Sequence, residues 1–180
     1  MTDIKILSEK PVFNANLFAV IEKEIELQNG KKLIHHNVER HPTVLIFPIT
    51  PNYELYLIKE YRYMLGKTVL EATAGFINPQ ENILAAAKRE LKEETGIAAI
   101  QWEKLTTIEM ASSVIHSQSH LFLAKELELG KAEPEEDEII EVVKMPLEEA
   151  VKKVMTGEIN SSSTIAGIMM LDKLKREKKL

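Results

Sequence analysis

Residues 75–97 constrain the fold of this chain more than any other segment. They follow the pattern G-x5-E-x7-R-E-U-x-E-E-x-G-U, where U is a bulky aliphatic residue. The specified positions are Gly75, Glu81, Arg89, Glu90, Leu91, Glu93, Glu94, Gly96 and Ile97. A pattern of this length is far less prone to chance matches than a short glycine motif. It predicts a loop and then a helix over about residues 82–95, with Asn82 as the N-cap and Gly96 left-handed beyond the last turn.

The predicted helix has an apolar stripe and an acidic face. The stripe that we expect to be buried consists of Ile83, Leu84, Ala87 and Leu91. Glu90, Glu93 and Glu94 are spaced i, i+3 and i+4, so their side chains share one face near the negative end of the helix dipole. Because Mg²⁺ prefers hard oxygen ligands, these carboxylates predict a magnesium site, with Mn²⁺ as a substitute. The alternative for an isolated acidic run is a solvated helix surface, which the rest of the pattern disfavours.

Composition excludes several classes of function. At 180 residues, with 44% hydrophobic and 28% charged residues, the chain can form one well-packed soluble domain. It has no cysteine, which excludes disulfides and thiolate chemistry, and it has neither a signal-peptide core nor an apolar run that could span a membrane. Its net charge of −5 provides no basic surface for nucleic acid. We therefore expect a cytoplasmic protein that binds neither nucleic acid nor membrane.

The order of predicted elements indicates a mixed α/β fold. Asn29-Gly30 between two extended runs predicts a β-hairpin, and the apolar run over residues 43–49 predicts a buried strand. Further strands are expected in residues 54–58, 69–74, 100–109, 119–126 and 138–144. A second helix should begin at Pro146 and end at Gly157, and a third should cover about residues 164–178 with Ser161–Ser163 as its cap. We expect these helices to pack on a mixed sheet.

The 75–97 pattern resembles the Nudix box, the signature of Mg-dependent hydrolases that cut pyrophosphate linkages in nucleoside diphosphate derivatives. Other segments resemble the ADP-ribose pyrophosphatase branch: the start of the chain from Pro11, Glu60-Tyr61-Arg62, residues 71–75, residues 120–124 and residues 157–165. The resemblance implies an α/β/α Nudix sandwich with a mixed sheet in residues 41–180. It also implies a small antiparallel β-subdomain in residues 1–40 that helps to form a homodimer.

The same resemblance implies a substrate and products. The substrate would be ADP-ribose or a related nucleoside diphosphate sugar, and the products a nucleoside monophosphate and a sugar phosphate. Members of this branch carry a Ser-Pro-Gly-like loop after the box, whereas residues 110–116 contain neither Pro nor Gly. The substrate could therefore be a nucleoside diphosphate sugar other than ADP-ribose. Two alternatives are a non-catalytic nucleotide sensor and a housecleaning hydrolase of nucleoside triphosphates.

The resemblance also assigns metal ligands and the residues around them. Glu90 and Glu94 would bind Mg²⁺ directly, Glu93 would be a third ligand or act through water, and the carbonyl of Ala74 would be a backbone ligand. We expect Arg89 to orient Glu93 or Glu90. Glu81 is interpreted as a structural partner in the loop, with a water-mediated metal contact as the alternative.

Substrate contacts are expected from residues before the box. These are Arg62, Gly75, Glu71 and Tyr61. A guanidinium such as that of Arg62 can bind phosphate bidentately, although a surface arginine on a strand is an equally simple interpretation. Tyr61 and Tyr63 could stack on a base or pack in the core. Gly75 would let the backbone approach the metal and the phosphates closely.

Three acids remain candidates for the general base. Glu136 and Glu138 lie in the acidic segment of residues 132–138, whose place before a strand suits a lid. Either could be the base or an extra metal ligand; alone, such a segment would be interpreted as solvated surface. Glu93 is the third candidate. His116 and His120 are not expected to form a metal site, because their i, i+4 spacing falls in a loop and a strand.

Overall fold

The computed structural model describes residues 4–133 and 139–180, so the candidate bases Glu136 and Glu138 lie outside the described residues. The described strands are β1 Lys5–Asn14, β2 Phe18–Glu26, β3 Lys32–Arg40, β4 Thr43–Pro48, β5 Glu54–Arg62, β6 Lys67–Glu71, β7 Thr73–Phe76, β8 Ile97–Glu109, β9 Ile115–His116, β10 Gln118–Leu129 and β11 Ile140–Pro146. The described helices are α1 Ile83–Thr95, α2 Leu147–Met155 and α3 Ser162–Arg176, with a short 3-10 helix at Tyr63–Leu65. The chain divides into two compact units.

The first unit contains residues 4–42 together with Glu109–Gln118. Its sheet has the order β1-β2-β3-β9. The predicted hairpin between β2 and β3 is confirmed: Gly30 has a φ of 77°, and the side chain of Asn29 accepts a hydrogen bond of 3.0 Å from the Lys31 amide. Strand β9 returns from far along the chain to pair in parallel with β3, a pairing for which the sequence offered no local signal.

The second unit, Thr43–Ile108 with residues 119–133 and 139–180, is built on a mixed sheet of order β7-β4-β10-β8. Strand β4 runs parallel to β10 and antiparallel to β7. Every residue of β4 is buried, as its apolar run predicted. Because side chains alternate across a strand, Val44 and Ile46 pack with α1, whereas Leu45 and Phe47 pack with α2 and α3. The α/β/α arrangement follows from this alternation, which agrees with the expected fold class.

The last two helices differ from their predicted starts in small ways. Pro146 is the N-cap of α2, one position before the first helical residue. Ser161 is the N-cap of α3, which confirms the predicted position of the cap, although its side chain makes no capping hydrogen bond. The Ser161 hydroxyl instead accepts a hydrogen bond from Thr164, whose own hydroxyl accepts one from the Ala72 amide at 3.1 Å. Thr164 therefore ties the first turn of α3 to the link between β6 and β7.

Candidate active site

Helix α1 has the boundaries that the sequence predicted. The side chain of Asn82 accepts hydrogen bonds from the amides of Leu84 and Ala85, at 2.9 and 3.2 Å. At the other end, Gly96 has a φ of 72°, in the left-handed region. Ala87 and Leu91 are fully buried, so the apolar stripe holds α1 against the sheet. Packing of that stripe fixes where the acidic face of the helix lies.

Arg89 is the centre of a hydrogen-bond network that uses all five of its N–H donors. Its Nε donates to Glu81 Oε1 at 2.9 Å, and its Nη2 donates to Glu81 Oε2 and to the Phe76 carbonyl, each at 3.0 Å. Its Nη1 donates to Glu90 Oε1 at 2.8 Å and to Glu93 Oε2 at 3.0 Å. A guanidinium has five N–H groups, so none is left for a ligand. Arg89 joins the loop before α1 to two acids of the predicted metal site.

Hydrogen bonding within this network raises the pKa of Arg89 and lowers the pKa of Glu81. The hydrogen bonds that Arg89 donates to Glu81 are the largest contribution that raises the pKa of Arg89, and Glu90 and Glu93 add to it against the opposing effect of burial. The bond from Arg89 in turn lowers the pKa of Glu81. Glu81 also accepts from the Asn78 amide at 3.0 Å. Glu81 therefore closes the loop that enters α1, which supports its interpretation as a structural partner.

Gly75 provides space for the carboxylate of Glu90. A Cβ atom at position 75 would overlap the carboxylate carbon and both carboxylate oxygens of Glu90. Glu90 thus lies directly against the backbone of β7, at the edge of the mixed sheet. On an edge strand about half of the carbonyl groups point away from the only neighbour, and Ala74 belongs to this strand. The absence of a side chain at position 75 brings the acid and the strand backbone together.

Arg62 forms a second cluster with carboxylates. Its Nε and Nη2 both donate to Glu71 Oε1, and its Nη1 donates to Glu60 Oε1 at 2.6 Å. Burial lowers the pKa of Arg62, but the charges of Glu71, Glu60 and Glu94 outweigh it and raise that pKa overall. Its side chain is 40% exposed. Within the described part of the chain, three of its five N–H groups have acceptors, so two remain for a ligand.

Glu94 is the most deeply buried acid of the predicted metal site, with 4% of its surface exposed. Among the described residues no three His, Asp or Glu side chains are gathered in an arrangement that could hold a metal ion; Glu90 and Glu93 share a nitrogen of Arg89 instead. Mg²⁺ in phosphate-processing sites usually takes one or two carboxylates, with water and substrate oxygens completing its shell. Glu90, Glu94 and the backbone of an edge strand fit that donor set.

The aromatic residues beside Arg62 are on the surface. Tyr61 is 53% exposed and Tyr63 is 80% exposed, so the alternative of core packing is wrong for both. Tyr61 is thus exposed, and its side chain projects from the face of β5 opposite to that of Arg62. Glu71 is nearly buried and is occupied by Arg62, so it reaches a ligand through that arginine rather than directly.

Sequence reasoning missed a contact at the end of α1. The Gly130 amide donates to the Gly96 carbonyl, and the Glu133 amide donates to the Glu93 carbonyl, both at 2.9 Å. A Cβ atom at Gly96 would come within 2.6 Å of backbone atoms in residues 130–132. Gly96 therefore does more than end the helix, because it also allows the segment after β10 to pack on the last turn. Two glycines far apart in sequence offered no pattern from which to infer this.

His116 and His120 have different hydrogen-bond partners. His116 Nδ1 is 2.7 Å from Glu39 Oε2 in the first unit. His120 is buried in the second unit, with its Nδ1 3.0 Å from the hydroxyl of Thr107. Neither contact involves the acids of α1.

An α/β/α fold with an acidic helix face beside a sheet edge is suited to a metal-dependent enzyme that acts on phosphate compounds. Comparisons with known sequences and structures identify the family. A family model described as the NUDIX domain matches residues 39–164. ADP-ribose pyrophosphatase of Bacillus subtilis (strain 168) is 30% identical over 169 residues, which are 93% of this chain and 91% of that protein. ADP compounds hydrolase NudE of Escherichia coli (strain K12) is 28% identical, over 92% and 90% of the two chains.

A solved structure supports the same conclusion at the level of the backbone. The crystal structure of an ADP compounds hydrolase matches with a TM-score of 0.86 and 27% identity, covering 99% of this chain and 97% of the other. The methanol dehydrogenase activator of Bacillus methanolicus is also similar, with 28% identity over 93% of this chain and 91% of that protein. The chain belongs to the Nudix family of hydrolases.

Proposed function

We propose that the protein is a Mg²⁺-dependent pyrophosphohydrolase that cleaves ADP-ribose or a related nucleoside diphosphate sugar into a nucleoside monophosphate and a sugar phosphate. The observation that carries this proposal is the pairing of two acids on one face of α1, the buried Glu94 and the partly buried Glu90, with an arginine that keeps two donors for an anion. The names of the relatives, ADP-ribose pyrophosphatase and ADP compounds hydrolase, support the substrate class.

Each residue has a role in the proposed reaction. Glu90, Glu94 and the Ala74 carbonyl would hold Mg²⁺ or, in its place, Mn²⁺, with Glu93 as a further ligand directly or through water. When bound, such a cation neutralises the charge of the diphosphate and favours ionisation of water. Arg62 binds the diphosphate with its two remaining N–H groups. Tyr61 is proposed to contact the nucleotide with its exposed ring, from the opposite face of β5.

The bond that breaks is the P–O–P bridge. Water adds to one phosphorus, the bridging oxygen leaves with the other phosphate, and a carboxylate accepts the proton of the water. Glu93, Glu136 and Glu138 are the proposed alternatives for that base. Arg89 orients Glu90 and Glu93 and makes no contact with the substrate, because all its donors are used within the protein. Gly75 brings the backbone of β7 close to the reacting groups.

The test compares wild type with Glu94→Gln, which keeps the size of the side chain but removes its charge. Both would be incubated with Mg²⁺ and a panel of nucleoside diphosphate sugars, dinucleotides and nucleoside triphosphates, and the products would be separated by chromatography. We expect wild type to release a nucleoside monophosphate, and Glu94→Gln to lose about 100-fold or more of kcat, with an unchanged circular dichroism spectrum.

Other outcomes distinguish the alternatives. Tight nucleotide binding by wild type without turnover would indicate a sensor, and release of pyrophosphate from triphosphates alone would indicate a housecleaning hydrolase. Removal of divalent cations with EDTA should abolish turnover, and added Mg²⁺ should restore it. Turnover that persists in EDTA would refute the dependence on metal.

The assembly and location are part of the proposal. Residues 1–40 form a β-subdomain through which two chains make a homodimer in the cytoplasm. Support comes from the edge position of β1 and from exposed apolar residues in the first unit, namely Ile4, Ile6, Val12, Phe13, Leu17, Phe18, Ile34 and Val114. None of the described helices is long and apolar enough to cross a membrane. Light scattering should give a mass twice the 20.4 kDa of one chain.

A further inference from the structure

Glu60 is a nearly buried acid with no role in the site described above. It precedes Arg62 by two residues on β5, so both side chains project from the same face of the strand. The register pairs Ile58 with Glu71 and Glu60 with Val69, which places Glu71 on that face as well. Only 9% of the surface of Glu60 is exposed. Burial of a carboxylate is costly unless the group is paired, and the 2.6 Å contact with Arg62 Nη1 supplies the partner.

The contact between Arg62 and Glu71 alone would not fix the guanidinium. Nε and Nη2 of Arg62 both donate to the same oxygen of Glu71, Oε1. Two bonds that meet at one atom leave the planar group free to pivot about that atom. Glu60 holds the opposite nitrogen, Nη1, and so provides a second point of attachment. With both acids in place, one N–H on each terminal nitrogen is left without an acceptor among the described residues.

We propose that Glu60 is a positioning residue that, together with Glu71, clamps Arg62 so that its two remaining N–H groups meet the diphosphate of the substrate. This inference rests on the proposed function, because it assumes an anionic diphosphate at Arg62. Glu60 touches Arg62 and acts through it. The clamp matters because two donors bind an anion well only when the plane that carries them is held in one orientation.

The test uses two substitutions that separate the hydrogen bond from the charge. Glu60→Ala removes the attachment to Nη1, whereas Glu60→Gln retains an acceptor oxygen of the same reach and loses the negative charge. We expect Glu60→Ala to raise KM for the best substrate of the panel about tenfold or more, with kcat within about threefold of wild type, since a misoriented clamp weakens binding. The separate variant Glu60→Gln should have a KM equal to or below the wild-type value.

A readout other than turnover accompanies the kinetics. Calorimetric titration of ADP-ribose in EDTA should show the same order, with wild type and Glu60→Gln binding more tightly than Glu60→Ala. Glu141→Ala is the matched control: Glu141 pairs at 3.1 Å with Lys59, the neighbour of Glu60 on the opposite face of β5. It should change neither KM nor affinity. Thermal unfolding of each variant identifies any loss of fold.

A double-substitution cycle tests whether Glu60 acts through Arg62. In an Arg62→Lys background, where the planar fork is absent, Glu60→Ala should change KM by less than about twofold. The inference is overturned if Glu60→Ala leaves KM and ADP-ribose affinity unchanged, if Glu60→Gln is as impaired as Glu60→Ala, or if the two substitutions are additive. Absence of turnover in wild type would instead refute the proposed function, so the two failures are distinguishable.

Discussion

Two arginines in the second unit have similar surroundings but differ in the number of N–H groups left for a ligand. Arg89 and Arg62 each contact more than one carboxylate, and those carboxylates raise both pKa values. Arg89 donates all five of its N–H groups to protein acceptors, whereas Arg62 donates three. A guanidinium stays charged in proteins, so charge alone cannot distinguish the roles of the two residues. The number of N–H groups that donate to protein acceptors distinguishes them: Arg89 shapes the site, whereas Arg62 can bind a ligand.

The two arginines also balance the negative charge on the acidic face of α1. Three carboxylates on one turn of a helix repel each other and the negative helix end. Nη1 of Arg89 is shared by Glu90 and Glu93 and offsets part of that repulsion. Glu94 lies near the charge of Arg62 instead. The acidic face of α1 is therefore balanced by two separate cations, and a divalent ion would add to this balance.

The strongest test of the comparison is Arg89→Lys. Lysine keeps the positive charge but has three donors from one nitrogen, so it cannot reproduce the planar contacts with Glu81, Glu90 and Phe76. We expect the free energy of unfolding, measured in urea, to fall by about 2–3 kcal/mol, because hydrogen bonds to charged groups are lost. We also expect kcat to fall about 10- to 100-fold, because Glu90 loses its orientation.

Arg62→Lys is the matched control for that substitution. Lysine can still reach Glu60 or Glu71, so the free energy of unfolding should stay within about 1 kcal/mol of wild type. KM should rise instead, because the two ligand-facing N–H groups are gone. If Arg62→Lys lost as much stability as Arg89→Lys with KM unchanged, the proposed division between a shaping and a ligand-binding arginine would be wrong.

A smaller effect is expected from Gly75→Ala, which acts on the Arg89 side of the comparison. The new Cβ would displace the carboxylate of Glu90, so kcat should fall about tenfold or more, while the unfolding free energy changes by only about 1–2 kcal/mol. Pairing it with Glu90→Asp, whose side chain is one methylene shorter, should recover part of kcat relative to Gly75→Ala alone. Equal kcat for Gly75→Ala and wild type would contradict the tight contact between Gly75 and Glu90.

Local signals explain what the sequence could predict. Asn82 and Gly96 mark the ends of α1 through capping chemistry that depends on adjacent residues only, and the hairpin at Asn29-Gly30 depends on one turn. The buried strand β4 follows from its continuous apolar run. These features need no knowledge of distant contacts, and the structure reproduces them closely.

Contacts set by strand register or by distant loops could not be predicted from the sequence. The clamp on Arg62 depends on how β5 aligns with β6, which brings Glu71 to the same face as Glu60. The overlap of Gly75 with Glu90 and the approach of Gly130 to Gly96 join residues that only the fold brings together. Gly75 was expected to let the backbone approach metal and phosphates; the structure adds a close contact with Glu90, an acid of the same motif, that only the fold reveals.

The smallest effect is expected from Glu81→Gln, and it tests whether Arg89 is held partly by charge. The pKa of Glu81 is lowered in the folded protein, chiefly by its hydrogen bond with Arg89, from an ordinary value of 4.5. A lowered carboxylate pKa stabilises the fold above that ordinary value, and this contribution is lost as the pH falls through the folded pKa. The melting temperature of Glu81→Gln should therefore be slightly below that of wild type at pH 7, and the difference should shrink below pH 4.5. Glu141→Gln, at an exposed pair, should show a smaller difference at either pH. A difference that grew in acid would mean that the Glu81 charge does not stabilise the Arg89 network.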